Sequence, residues 1–186
     1  MGNNKTIGIN NDSRTDKHIF LTGEKQIGKS TIITKLIEAL VNKDLRVNGI
    51  RSISEFEDDV RKVYLVPINA GIEDYNSKVL VGECVNHHIT MKNTDVFDNE
   101  GTSIINSARN NADIIIIDEI GKMEKDASCY ANQIISLLEQ DDIKVIGVIQ
   151  NMACGTLADY IRDNNKIEMI EVNIDNRDEI VGRILG

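Results

Sequence analysis

The chain has 186 residues, of which 41% are hydrophobic and 27% are charged, and its formal net charge is −9. These values are typical of one globular domain and exclude a mainly disordered or collagen-like chain. The acidic balance argues against a nucleic-acid partner, but it permits an anionic ligand at a local positive site. The three cysteines are widely spaced and odd in number, which disfavours a disulfide framework.

No apolar run reaches the roughly 18 residues of a membrane span, and the N-terminus lacks the apolar segment of a signal peptide. We therefore expect a cytoplasmic protein without a membrane partner. Residues 1–16 are rich in asparagine and poor in large apolar side chains, so we interpret them as a disordered tail. Residues 17–186 are then expected to form a single domain.

Hydrophobic periodicity predicts the elements that follow in chain order. Short apolar runs predict strands at 18–22, 47–53, 60–68, 78–85, 113–118, 143–149 and 167–172. Helical spacing predicts helices at 29–42, 98–111, 127–139 and 157–163, and a last helix from about Arg177. We expect Asn176 and Glu179 to form a capping box at the start of that helix.

The order of these elements predicts the fold class. In the last third, strands and helices alternate, which is typical of a parallel sheet with helices on both faces. In the middle, strands follow one another closely, which predicts hairpins. The four consecutive isoleucines at 114–117 indicate a strand that is covered on both faces.

A phosphate-binding loop follows the first predicted strand and precedes the first predicted helix. The sequence GEKQIGKS matches GxxxxGK[ST] and, with the next residue, predicts a nucleotide-binding segment of Gly23, Glu24, Lys25, Gln26, Ile27, Gly28, Lys29, Ser30 and Thr31. The glycines allow backbone N–H groups to point at phosphate oxygens, and the helix N-terminus adds positive potential. We expect Lys29 to contact the terminal phosphates and Ser30 to bind Mg²⁺. The predicted fold is therefore a three-layer α/β P-loop NTPase fold with a mostly parallel sheet and a hairpin-rich middle segment.

Two acidic residues follow the isoleucine run. Asp118, at the end of a buried strand, is placed to hold Mg²⁺, and Glu119 is placed to orient and deprotonate an attacking water. Nearly half the chain separates Ser30 from Asp118, which leaves room for another strand between the two motif strands. Such an inserted strand characterises the hydrolytic RecA-like branch of P-loop proteins, an analogy at the level of the fold.

The heptapeptide DEIGKME at 118–124, together with the early P-loop, resembles a family signature. It is similar to that of the small P-loop nucleoside-triphosphatases known from thermophiles, a family that includes the human cancer-related nucleoside-triphosphatase. The resemblance extends over 18–186. It implies Mg²⁺-dependent hydrolysis of nucleoside triphosphates to diphosphates with little base preference. It also implies Lys29 and Ser30 at the phosphates, Asp118 at the metal, Glu119 as base and Lys122 as a second positive contact.

The sequence departs from the family pattern in two places. Lys25 and Gln26 stand where the family commonly has Pro-Gly, and Asn151-Met152-Ala153 stands where basic or histidine residues usually follow the 143–149 strand. These departures keep open the alternative of a nucleotide-binding regulatory module with little turnover. The β-rich middle, which could form an acceptor site or a lid, keeps open a second alternative, a P-loop kinase for a small acceptor. A protein partner cannot be read from the sequence.

Other residues are weaker candidates. The arginines that could serve the transition state are Arg51, Arg61, Arg109, Arg162 and Arg177, with Arg51 favoured for its place near the end of a predicted strand. Tyr64 or Tyr75 could stack on a base. Cys84, His87 and His88 have too few ligands at regular spacing for zinc, and Asn42-Lys43-Asp44 does not have the spacing of a guanine-binding motif.

Overall fold

The computed structural model describes residues 17–186. The predicted tail at 1–16 lies outside the described residues. No helix from residue 17 onward combines the length and apolarity needed to cross a bilayer.

Nine strands of the described chain form one sheet. They are β1 (His18–Thr22), β2 (Val47–Glu57), β3 (Val60–Asn69), β4 (Ile72–Glu73), β5 (Val79–Val85), β6 (His88–Lys92), β7 (Ile114–Ile120), β8 (Lys144–Ile149) and β9 (Ile167–Glu171). The helices are α1 (Lys29–Val41), α2 (Thr94–Val96), α3 (Thr102–Asn111), α4 (Ser128–Leu138), α5 (Thr156–Asp163) and α6 (Ile180–Leu185). A 3-10 turn spans Tyr75–Ser77, and a π-helical segment, Phe97–Gly101, joins α2 to α3.

The strand order is β6-β5-β3-β2-β7-β8-β1-β9, and β4 pairs with β3. The five strands from β2 to β9 in that order are parallel, whereas β3, β4, β5 and β6 are added through antiparallel pairs. The mostly parallel core and the hairpin-rich middle are both confirmed. The carboxyl ends of β1, β7, β8 and β9 consequently meet at one edge of the sheet, where ligands bind in such folds, and β2 passes this edge at Arg51 on its way into the hairpin with β3.

Two hydrophobic layers enclose the sheet. One contains Ile33, Leu36 and Ile37 of α1 with Ile180 of α6. The other contains the apolar faces of α3, α4 and α5, including Ile134. The isoleucines of β7 alternate between the two layers, as expected of a strand that is covered on both faces.

The predicted inserted strand exists, because β8 lies between β1 and β7. It does not come from the segment between Ser30 and Asp118, which instead supplies β2 and the hairpins. Gly147 explains how β8 fits between its neighbours. A Cβ on this glycine would lie 2.4 Å from the Phe20 ring and 3.0 Å from the Ile117 carbonyl oxygen.

Several predicted boundaries were wrong. The last helix begins at Ile180, and no side chain caps it. The Asn176 side chain bonds Asn173 N–H and the Glu171 carbonyl instead, so it serves the preceding loop and no capping box forms. The helix expected from 98 begins at Thr94, where the Asn93 side chain accepts from Val96 N–H. Strand β6 was not predicted because it is short and largely polar.

His18 joins three elements at the start of β1. Its Nε2 lies 3.0 Å from the Leu138 carbonyl oxygen, and its Nδ1 accepts a hydrogen bond from Val145 N–H at 3.1 Å. This pattern requires neutral imidazole with the proton on Nε2. Burial lowers the pKa of His18 from 6.5, although the Leu138 hydrogen bond acts in the opposite direction.

The His18→Gln variant tests this assignment. Because the pKa is lower in the folded state, the unfolded chain takes up the proton first. The stabilisation from neutral His18 is therefore complete well above pH 6.5 and declines as the pH falls through 6.5 towards the folded-state pKa. Urea unfolding at about pH 8 and about pH 5.5 measures the free energy of unfolding at each pH. This free energy should decrease less between the two pH values in the variant than in the wild type.

His88→Gln, at an exposed position of β6, is the matched control. It should keep the wild-type pH dependence. An unchanged pH dependence in His18→Gln would contradict the assignment.

Candidate active site

The parallel register aligns the predicted site residues across the sheet. Arg51 of β2 pairs with Asp118 of β7, Asp118 with Val148 of β8, Val148 with Leu21 of β1, and Leu21 with Ile170 of β9. Beyond these positions β1, β7, β8 and β9 end within two residues at the same edge, whereas β2 continues into its hairpin with β3. This row therefore brings the phosphate-binding loop, the two acids and the loops after β8 and β9 together.

The phosphate-binding loop has the backbone that its glycines permit. Gly23 has φ 136° and Gly28 has φ 114°, both in a region that favours glycine. A Cβ on Gly23 would lie 2.5 Å from the Val172 carbonyl oxygen, so β9 packs directly on the loop. Gln26, where the family commonly has a glycine, also has a positive φ of 62°.

Lys29 begins α1 and is 8% exposed. Its Nζ donates to the carbonyl oxygens of Gly23 at 2.8 Å and Glu24 at 2.7 Å, so the ammonium lies inside the curl of the loop. Burial lowers the pKa of Lys29, while the charges of Glu119 and Asp118 act in the opposite direction. The predicted phosphate lysine and the two predicted acids are thus close enough to interact electrostatically.

Asp118 is 1% exposed and belongs to β7, which continues to Ile120 instead of ending at Asp118 as predicted. Arg51 is its neighbour, with Nε 3.0 Å from Oδ2 of Asp118. The same guanidinium donates to the Ser30 carbonyl oxygen at 2.9 Å and to Glu73 of β4. Arg51 therefore connects the start of α1, the buried acid and the hairpin region.

The environment of Asp118 fits a metal ligand. Burial raises its pKa to about 6, although the adjacent Arg51 charge lowers it. Its Oδ2 forms an ion pair with Arg51 but has no hydrogen-bond partner of correct geometry. The described residues contain no group of three or more His, Cys, Asp and Glu that could hold a metal. A cation here would be shared between few protein ligands and the phosphates, as is usual for Mg²⁺.

Glu119 borders a small cavity of about 80 Å³. The predicted residues Lys122 and Arg61 line the same cavity, with Ser52 of β2 and Gln150. A partly buried carboxylate beside a cavity of water-holding size suits a group that positions a water molecule. Lys122 is exposed to solvent at this cavity.

Glu124 fixes the loop that carries Lys122. It is 6% exposed, and its Oε1 accepts a hydrogen bond from Gly121 N–H. Burial raises the pKa of Glu124 to about 7. The last residue of the DEIGKME signature is therefore a structural acid that closes the turn after Glu119.

Sequence reasoning missed the roles of Asn151 and Gln150. Asn151 Oδ1 accepts hydrogen bonds from the Thr22 hydroxyl at 2.6 Å and from Gly23 N–H at 3.0 Å. Arg162 holds the same loop by donating to the Ala153 carbonyl oxygen at 2.9 Å. The position of Asn151 in the sequence could have indicated this role. A polar residue that directly follows a strand adjacent to β1 lies beside the phosphate-binding loop.

The remaining candidates lie away from this cluster or have other partners. Lys78 lies over the Tyr64 ring, with Nζ 4.4 Å from the centroid, and the Tyr75 hydroxyl donates to Glu73. Arg109 and Arg177 are exposed on α3 and in the β9–α6 loop. Cys84, which is buried, and the turn residue His87 belong to the β5–β6 hairpin.

The Arg51→Met variant tests the buried ion pair. Removing the guanidinium leaves Asp118 buried without a countercharge, which typically costs about 3–5 kcal/mol of unfolding free energy at a pH where the carboxylate is charged. Loss of Arg51 raises the Asp118 pKa above its wild-type value of about 6, so the deficit should shrink as the pH falls towards about 6, below which Asp118 is protonated in both folded proteins. Denaturant unfolding of the variant and the wild type between about pH 8 and pH 5 measures this difference in unfolding free energy.

Arg46→Met is the matched control, because Arg46 pairs with Asp113 on the surface and should matter little. Equal losses in both variants, or a deficit in Arg51→Met that does not change with pH, would contradict the prediction.

Comparisons with known proteins concern the family and the fold. A family model described as NTPase matches residues 18–185. The chain is 29% identical to the mouse cancer-related nucleoside-triphosphatase homolog, over 91% of this chain and 95% of that protein. It is 27% identical to nucleoside-triphosphatase THEP1 of Methanocaldococcus jannaschii, over 90% and 95%. The crystal structure of THEP1 from Aquifex aeolicus shares the fold, with a TM-score of 0.70 at 24% identity, covering 90% of this chain and 96% of that one. The chain therefore belongs to the NTPase family.

Proposed function

We propose that this chain is a Mg²⁺-dependent nucleoside-triphosphatase that releases the terminal phosphate of nucleoside triphosphates. What supports the proposal is the strand register, which sets Asp118 of β7 level with Leu21 near the end of β1, while Lys29 Nζ bonds the Gly23 carbonyl oxygen in the loop that follows β1. Membership of the NTPase family supports hydrolysis as the reaction class.

Substrate binding is assigned to the phosphate-binding loop and the start of α1. The backbone N–H groups between Gly23 and Thr31 face a polyphosphate in such loops, and the α1 N-terminus adds its positive potential. Lys29 supplies the charge for the terminal phosphates. Its present bonds to the Gly23 and Glu24 carbonyl oxygens are exchanged for phosphate oxygens when substrate binds.

The Ser30 hydroxyl and the Asp118 carboxylate are the residues that would hold Mg²⁺. When bound, the cation supplies charge neutralisation at the terminal phosphates. Arg51 keeps Asp118 ionised and, through the Ser30 carbonyl, fixes the distance between the two ligand positions.

Glu119 performs the proton chemistry in this proposal. Its carboxylate orients a water molecule in the adjacent cavity and accepts the water proton as the oxygen attacks the terminal phosphorus. Lys122 lies at the same cavity and stabilises negative charge on the transferred phosphoryl group. Catalysis is therefore mainly positioning and charge stabilisation.

The Glu119→Gln variant tests the assignment of the base. We expect phosphate release from ATP, GTP, CTP and UTP to fall about 10²–10⁴-fold with nucleotide binding retained, because glutamine keeps the shape but cannot accept the proton. Phosphate release and equilibrium binding measure the two quantities. Glu171→Gln, at the exposed end of β9, is a strand-end control that should remain active.

Three outcomes would contradict parts of the proposal. Phosphate release only after addition of an acceptor would indicate a kinase, because a hydrolase needs no acceptor. Nucleotide binding without turnover in the wild type would indicate a regulatory module. Full activity in Glu119→Gln would assign the base elsewhere.

The Lys122→Ala variant tests the second positive contact. Because the contact strengthens as charge develops, we expect kcat to fall about tenfold or more with little change in KM. Lys125→Ala is the matched control, since Lys125 is also exposed in the same loop but does not line the cavity. Steady-state kinetics of both variants distinguish a specific contact from the general loss of one surface charge.

A further inference from the structure

We propose that the loop after β9, residues 173–179, is the nucleobase platform, with Ile174 as its apolar contact surface. This inference rests on the proposed function, because it uses the direction in which a nucleoside triphosphate would lie. It adds a subsite at the end of the ligand opposite the reacting phosphate.

The direction of the ligand follows from the sheet order. Asp118 and Glu119 belong to β7, which is separated from β1 by β8, whereas β9 lies on the opposite side of β1. A nucleotide held by the loop after β1 with its terminal phosphate at Glu119 must extend its base away from β7. Three strand spacings of roughly 4.8 Å separate β7 from β9, about 14 Å in total, a span suited to an extended triphosphate and its nucleoside.

The loop after β9 is attached directly to the phosphate-binding loop. Val172 N–H donates to the Thr22 carbonyl oxygen at 2.8 Å, and a Cβ on Gly23 would lie 2.5 Å from the Val172 carbonyl oxygen. Ile174 follows two residues later and is 71% exposed. A large apolar side chain is therefore exposed to solvent on the side of β1 towards which the nucleoside is expected to extend.

The same loop is cross-linked by internal hydrogen bonds that occupy the side-chain oxygens of Asn173 and Asn176. Asn173 Oδ1 accepts from the N–H groups of Asp175 and Asn176, both at 3.0 Å. Asn176 Oδ1 accepts from Asn173 N–H at 2.9 Å, and its Nδ2 donates to the Glu171 carbonyl oxygen at 2.8 Å. These bonds hold the backbone on both sides of Ile174 while its side chain stays exposed.

Such a platform explains how one site would accept different bases. An aliphatic side chain covers part of the face of any purine or pyrimidine, and it offers no donor or acceptor to distinguish their edges. Strong discrimination requires hydrogen-bonding groups that would be left unpaired by the wrong ligand. The chemistry of Ile174 thus favours binding of all four nucleotides with similar affinity.

Met152 provides an internal control for this interpretation. It is also 71% exposed, and it follows β8 beside Asn151, which contacts the start of the phosphate-binding loop. Its loop lies on the side of β1 that faces the acids, where the terminal phosphate is expected. Exposure and proximity to β1 are therefore matched, and the two residues differ in the side on which they lie.

The test compares equilibrium binding of nucleoside diphosphates with that of pyrophosphate, using calorimetry. The diphosphates of adenosine, guanosine, cytidine and uridine carry a base and are products of the proposed reaction, whereas pyrophosphate carries only the phosphates. Ile174→Asn should weaken all four diphosphates about fivefold to tenfold and leave pyrophosphate unchanged. Ile174→Phe should tighten them, and Met152→Asn should change none.

Unchanged diphosphate binding in Ile174→Asn would overturn the proposal. An equal loss of pyrophosphate binding would also overturn it, because the loop would then act only by supporting the phosphate-binding loop. Wild-type protein that binds diphosphates but releases no phosphate from triphosphates would overturn the proposed hydrolysis and leave the base platform standing. Wild-type protein that binds no diphosphate would overturn both.

Discussion

The site depends on keeping one negative charge inside a sheet of isoleucines. Asp118 continues a buried apolar strand and is almost inaccessible to solvent, so burial alone would drive it to the neutral acid. Arg51, its register neighbour on β2, supplies the opposing charge at 3.0 Å. The parallel pairing of β2 with β7 is therefore an electrostatic requirement of the site as well as a feature of the fold.

This ion pair also explains how the hairpin-rich middle is joined to the phosphate-binding half. The first part of β2 lies in the parallel core, and its continuation to Glu57 pairs with β3 in an antiparallel hairpin. Arg51 lies where the strand passes from one role to the other. Its bonds to Ser30 and Glu73 fasten both regions to the same guanidinium. The middle segment is thus bonded to the site through Arg51 and forms part of its wall. It is not a separate lid.

The sequence predicted the features that local pattern determines. The phosphate-binding loop, the strand of four isoleucines and the two acids after it are contiguous motifs, and the structure brings them to one edge. The role of Glu73 was not predictable, because its partner Arg51 lies 22 residues earlier in the chain. The role of Asn151 required knowing that β8 lies beside β1, a neighbour relation that local pattern does not give. The capping box failed for a local reason, since Asn176 bonds Asn173 and Glu171 and so competes with helix initiation.

The residues after β8 differ from the family pattern in charge, because Asn151-Met152-Ala153 stands where the resemblance leads one to expect basic or histidine residues. Asn151 is uncharged and binds the Thr22 hydroxyl and Gly23 N–H, so it braces the loop and contributes no positive charge. Positive charge at the cavity comes instead from Arg61 on β3 and Lys122 after β7. The positive charge beside Glu119 therefore comes from the hairpin side of the cavity and from the DEIGKME loop, whereas the loop after β8 contributes a neutral side chain that braces the phosphate-binding loop.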